Sequence, residues 1–291
     1  MNAKVDCSDS KMIVTYAAFR RLPDVKKLVE STNVYIDSTD ETGKNALCEA
    51  CENGDSEMVD YLLSKGADVN FIFNSTQRPS WNGATPLYYA TKEGHVDIAK
   101  TLIQKGANLD VETCKFNLMT KAVWSKNPKM VEYLLNLNFG IDDYDPDGNT
   151  PLIAAIRNSC HESETLLLEK GADYRKPRPN EYPMILFAAR AKDSAKGMEI
   201  LLKHVEAKEG REGVKEYVNQ TCPKTGCTAL HCACIDRNFH SIKLLLEYEI
   251  DYKIEDVEGR RAEFYIPKSV KYEDLLNLFR ARKYKEYMEE K

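Results

Sequence analysis

Six residues able to ligate a metal fall within nineteen positions: Cys222, Cys227, His231, Cys232, Cys234 and His240. Thiolate and imidazole together suit zinc. Zinc sites, however, pair their ligands as C-x₂₋₄-C with a matching second pair, and this spacing fits no such pattern. Cys48-Glu-Ala-Cys51 has the C-x-x-C spacing of a redox pair. It sits inside a predicted helix beside a packed alanine, whereas a redox thiol needs an exposed helix N-terminus to lower its pKa. Acidic residues are abundant, but no motif ties two of them to a pocket at the separation that acid and base work requires. Gly210-Arg-Glu-Gly213 lacks the spacing of a phosphate-binding loop, and there is no Gly-x-Ser-x-Gly nucleophile elbow. These residues give no enzyme, and neither metal nor cofactor is assigned.

The elements that position these residues repeat. Residues 83–110 read as two short helices and a turn. Thr85 caps the first, with Pro86 at its first helical position and Leu87 and Ala90 on one face. Gly94 ends it. Val96, Ile98, Ala99, Leu102 and Ile103 form a second amphipathic helix, closed by Gly106. Such a unit cannot bury its own apolar face and needs copies of itself as neighbours. The Leu-x-x-Ala core recurs at Leu47–Ala50, Leu87–Ala90, Leu152–Ala155, Leu186–Ala189 and Leu230–Ala233, with weaker copies at Val14–Ala17 and Met119–Ala122. The alanine steps are 33 (17 to 50), 40 (50 to 90), 32 (90 to 122), 33 (122 to 155), 34 (155 to 189) and 44 (189 to 233).

With Thr85-Pro-Leu87, Gly94-His-Val-Asp-Ile-Ala99 and Lys105-Gly-Ala-Asn108, this period resembles the ankyrin repeat. The resemblance covers nearly all of the chain. It implies an all-α solenoid of seven to eight helix-turn-helix units with β-turn fingers and atypical terminal caps. The units lie near 11–42, 43–82, 83–114, 115–147, 148–181, 182–225, 226–258 and 259–271. Residues 1–10 are expected to be flexible, and 272–291 to form a capping helix.

The family resemblance also implies a non-enzymatic scaffold that binds another protein through its concave face and turns, as an adaptor or inhibitor. The alternatives are a substrate-recognition arm of a ubiquitin ligase or other enzyme complex, or a small-ligand or metal sensor. Variable positions of the family flank the glycine and follow the alanine. Here they give Glu41, Thr42, Lys44, Glu52, Asn53, Trp81, Asn82, Lys92, Glu93, Phe116, Trp124, Ser125, Pro146, Asp147, Asn149, Arg157 and Asn158. Trp81 and Trp124 are the expected anchors, with Lys92 and Arg157 adding charged contacts. Trp124 is either a groove floor or a packing residue. His231 is expected to hydrogen-bond a neighbouring turn.

Two insertions interrupt the period. In 71–81, Phe71, Phe73 and Trp81 either fold back on adjacent units or form, with Arg78, an aromatic finger for a partner. In 204–222, charge and two glycines suggest an extended helix or a mobile loop. One turn is acidic (Asp142, Asp143, Asp145, Asp147) and the next basic (Arg175, Lys176, Arg178). These runs are either simply solvated or set a partner's register.

The formal charge of −5, with no basic block, argues against nucleic acid as the partner. No apolar run suits a membrane span and no secretory signal is evident. Nine irregularly spaced cysteines read as free thiols in a reducing compartment. A cytoplasmic monomer, also nuclear in some settings, is expected.

Overall fold

The computed structural model describes residues 7–74, 82–109, 117–179, 182–191, 195–248, 250–269 and 272–289. The described residues form fifteen α-helices and no strand beyond isolated bridges at Thr39–Asn45, Thr221–Thr228 and Glu255–Arg261. The chain divides into two compact units, Met1–Gly140 and Ile141–Lys291.

The first unit holds four helix pairs: α1 (Cys7–Ala18) with α2 (Leu22–Ser31), α3 (Ala46–Asn53) with α4 (Ser56–Ser64), α5 (Pro86–Lys92) with α6 (Val96–Gln104), and α7 (Leu118–Trp124) with α8 (Pro128–Asn136). The leading helices pack in the order α1, α3, α5, α7, and the second helices in the order α4, α6, α8. The second unit has the same scheme within itself. There α9 (Pro151–Arg157), α11 (Met184–Arg190), α13 (Ala229–Ile235) and a 3₁₀ turn at Ala262–Tyr265 pack in series. Beside them run α10 (His161–Glu169), α12 (Lys196–Val218), α14 (Phe239–Glu247) and α15 (Glu273–Glu289).

Local chemistry explains the pairs. Asn45, Thr85, Asn117, Thr150 and Thr228 each cap a leading helix by accepting from the amide three residues on. That satisfies a donor which the first helical turn leaves unpaired. The core alanines Ala17, Ala50, Ala90, Ala122, Ala155, Ala189 and Ala233 are all completely buried. Their small side chains let successive leading helices approach, while Leu47, Leu87, Met119, Leu152, Leu186 and Leu230 fill the space between them.

Four features depart from or refine the sequence reading. Helix α1 begins at Cys7, inside the stretch read as flexible. Phe73 folds back instead of reaching toward a partner. Its amide donates to the Ala84 carbonyl at 2.8 Å, its carbonyl accepts from Gly83 at 2.9 Å, and its ring is 2% exposed. The second insertion is helical, two segments of α12 meeting at Gly210, whose φ of 69° and ψ of −170° break the helix. Among the described residues of α15, Leu275 and Phe279 are buried, while Tyr284 and Met288 stay 66% and 53% exposed. The apolar spacing there runs on beyond the surface that it covers.

Candidate protein-binding surface

Two residues past the core alanines of the first unit stand Phe19, Glu52, Lys92 and Trp124. Because α1, α3, α5 and α7 pack in that order, these equivalent positions form a row along their C-terminal ends. Its outer members are aromatic and open, Phe19 at 73% and Trp124 at 42% exposure. The Lys121 ammonium lies 3.7 Å from the Trp124 ring centroid, a cation–π contact. The middle members are charged and coupled. Glu52 receives the ammonium of Lys44 and, at 3.4 Å, that of Lys92, which also meets Glu93 at 2.7 Å. Burial opposes ionisation of Glu52, but the two ammoniums outweigh it and hold its carboxyl below the usual range.

Backbone ties set the spacing of the row. Asn53 Nδ2 donates to the Ala18 carbonyl at 3.1 Å, His95 Nε2 to that of Glu52 at 3.2 Å, and Asn127 Nδ2 to that of Gly94 at 2.8 Å. Ser125 turns inward, its hydroxyl donating to the Ala122 carbonyl at 2.6 Å. Asn82 is half-buried in the turn before α5. Arg78, Trp81 and Phe116 lie outside the described residues.

The other expected residues belong to the second unit. Arg157 is exposed, and its Nη1 donates to Asn149 Oδ1 at 3.1 Å. Asn158 Nδ2 donates back to the Ala154 carbonyl at 2.8 Å, and Asp147 is exposed in the preceding turn. The acidic and basic turns bond to one another. Lys176 donates to the Asp142 carbonyl at 2.9 Å, and Arg178 to the carbonyls of Asp147 and, at 3.2 Å, Gly148.

His231, Cys48 and Cys51 have packing roles. His231 Nε2 donates to the Arg260 carbonyl at 3.0 Å, in the turn of the next repeat, while Nδ1 accepts from the Thr228 amide at 3.2 Å. Cys48 and Cys51 are completely buried, and burial pushes both thiols well above their usual range. Among the described residues no group of three or more His, Cys, Asp or Glu is placed to hold a metal.

The model for ankyrin repeats in three copies matches residues 12–113 and 111–178, and a single-repeat ankyrin model matches 225–254. The chain belongs to the ankyrin repeat family. Ankyrin repeats serve as protein-interaction scaffolds. A palmitoyltransferase of Lachancea kluyveri is 34% identical over 154 residues, half of this chain and 20% of that protein. An ankyrin repeat protein of Fowlpox virus is 27% identical, covering 75% of this chain and 47% of its own length. The nuc-2 ankyrin repeat protein of Neurospora crassa is 27% identical over 84% of this chain and 22% of its own. The chain thus spans from a fifth to about half of these relatives. The human ASB11 ankyrin repeat domain superposes with a TM-score of 0.52 at 24% identity, covering 91% of this chain and 96% of that one. That likeness carries the ankyrin fold. No helix among the described residues is long and apolar enough to cross a membrane.

Against the ankyrin pattern, Phe19 is a surface residue that the sequence reading passed over. It follows Ala17 as Trp124 follows Ala122, so the repeat register held the signal. Tyr182, Phe187 and Arg190 were passed over as well, because their side chains meet Arg157 and Arg178 only once the repeats are stacked.

Proposed function

We propose that this ankyrin array is a non-enzymatic scaffold that holds another protein, as a monomeric adaptor or inhibitor in the cytoplasm or nucleus. The observation behind this reading is the row Phe19, Glu52, Lys92 and Trp124. It places two open aromatic rings on either side of a charged pair, at the C-terminal ends of helices that pack on one another. Aromatic side chains dominate interface energetics because they bury much area while losing little conformational freedom. The coupled Glu52 and Lys92 would set register between the rings, since charge patterns give specificity more than affinity. The helices are ordered by their own core, so less entropy is lost on association.

The test is affinity capture from cell extract by the immobilised chain, with Trp124→Ala in parallel. The expected outcome is a stoichiometric partner whose binding weakens by about 2 kcal/mol in the variant. The thermal midpoint should stay unchanged, because the indole is open to solvent. A lowered midpoint would make Trp124 a packing residue. Unaltered capture would remove it from the interface.

A further inference from the structure

The second unit contains a cleft of about 540 Å³ lined by Arg157, Ser159, Arg178, Tyr182, Phe187 and Arg190. Three guanidinium groups meet there, and they differ in how their charge is balanced. Arg190 is neutralised, its Nε and Nη2 donating to the two Asp236 carboxylate oxygens at 2.8 and 3.4 Å. Arg157 and Arg178 have only neutral acceptors: the Asn149 amide for one, the Gly148 and Asp147 carbonyls for the other. Neutral acceptors fix a guanidinium in place without cancelling its charge. Among the described residues, neither arginine is in an ion pair. Two uncompensated positive charges therefore border one small cleft.

The same cleft is also lined by two aromatic rings. The Tyr182 and Phe187 rings meet edge to face at 4.7 Å, and the Arg178 guanidinium lies 5.5 Å from the Phe187 centroid. A guanidinium beside a ring face keeps its N–H groups free for acceptors in its own plane.

We infer that this cleft receives a phosphorylated side chain of a partner protein. A phosphomonoester carries about −1.5 to −2 charge at pH 7 and three acceptor oxygens, which matches the two unbalanced charges and the guanidinium N–H groups beyond those that Asn149 and the two carbonyls engage. A carboxylate brings one charge and leaves the second arginine unmatched. The two aromatic rings would take the apolar stem of the same residue. Nucleic acid fits less well, because it needs a basic track along many phosphates. Beyond this cleft, the adjacent Arg175 is already paired with Glu209 and Glu216, and the chain's formal charge is −5.

The inference rests on the protein-binding reading and can fail separately from it. The probe is a fluorescein-labelled hexapeptide pool with one fixed phosphoserine and randomised flanks, titrated by anisotropy against the full chain. Binding should saturate, and the same pool with unmodified serine should bind at least about tenfold more weakly. Arg157→Gln and Arg178→Gln should each weaken binding about tenfold, the effect of one charge-assisted hydrogen-bond set. Arg157→Gln is decisive, since that side chain is exposed and its loss leaves the fold's melting transition in place. Trp124→Ala should bind the phosphopeptide as the parent does, even where it abolishes capture from extract. Equal affinity for the two pools, or unaltered affinity in Arg157→Gln, would overturn the assignment. So would tighter binding of a twelve-nucleotide RNA with the same arginine dependence.

Discussion

His231 shows how far one side chain links repeats. A carbonyl can only accept, so Nε2 carries the proton donated to Arg260, and Nδ1 is the bare acceptor facing the Thr228 amide. The neutral ring therefore serves both turns. Protonation would set a second N–H against the Thr228 donor. Burial lowers the imidazole pKa from its ordinary 6.5, only partly opposed by the Arg260 carbonyl and the Asp256 charge. A histidine with a depressed folded pKa binds fewer protons than its unfolded counterpart, so stability rises with pH and is lost as pH falls through 6.5. The thermal midpoint is expected to drop between pH 7.5 and 5.5. His231→Gln should flatten that drop while costing about 1 kcal/mol at neutral pH. A smaller slope should remain from His204, whose pKa burial and Lys208 also depress. A variant as pH-sensitive as the parent would show that His231 is not the titrating group.

At the scale of elements, two glycines at helix ends separate backbone strain from packing. Gly54 and Gly106 both have positive φ, 73° and 91°. A Cβ on Gly106 would meet nothing within 4 Å, whereas one on Gly54 would lie 2.5 Å from His95 Cε1. Gly106→Ala should cost about 1 kcal/mol, the left-handed strain alone. Gly54→Ala should cost about 1 kcal/mol more, because the imidazole must move and release the Glu52 carbonyl. Urea unfolding measures both, and equal losses would remove His95 as a tie between repeats. The Thr85 cap and the Leu-x-x-Ala cores were legible in the sequence because they depend on residues three or four apart. Phe73 was legible only as one of two alternatives, folded back or protruding, since the choice depends on backbone pairing with Gly83 and Ala84 that composition does not show. The exposure of Tyr284 and Met288 was not legible, because helical spacing tells which residues share a face and not what covers it. Of the candidate surface, Trp124, Lys92 and Glu52 were legible through the ankyrin register. The arginine cleft was not, because it draws on residues from 157 to 190 that share no single motif.

Across the whole molecule, packing is local in sequence even where it is dense. Helix α5 packs on α3, α6 and α7, and α13 packs on α11, α14 and the 3₁₀ turn. In such a chain stability is a sum of repeat terms and neighbour terms, so damage spreads by contact and fades with distance along the array. Leu87 is buried on α5, which packs on α3 and α7. Leu87→Ala removes about 2–5 kcal/mol of burial and packing from that place. Hydrogen exchange should then quicken in α3, α5, α6 and α7, while α11 and α13 keep the protection they have in the parent. A uniform rise in exchange across both units would mean that the chain opens as one cooperative body. Protection retained at α11 and α13 would instead mean that the unit holding the arginine cleft keeps its packing when the helices of the aromatic row are loosened. In that case the phosphopeptide titration on Leu87→Ala should give the parent's affinity.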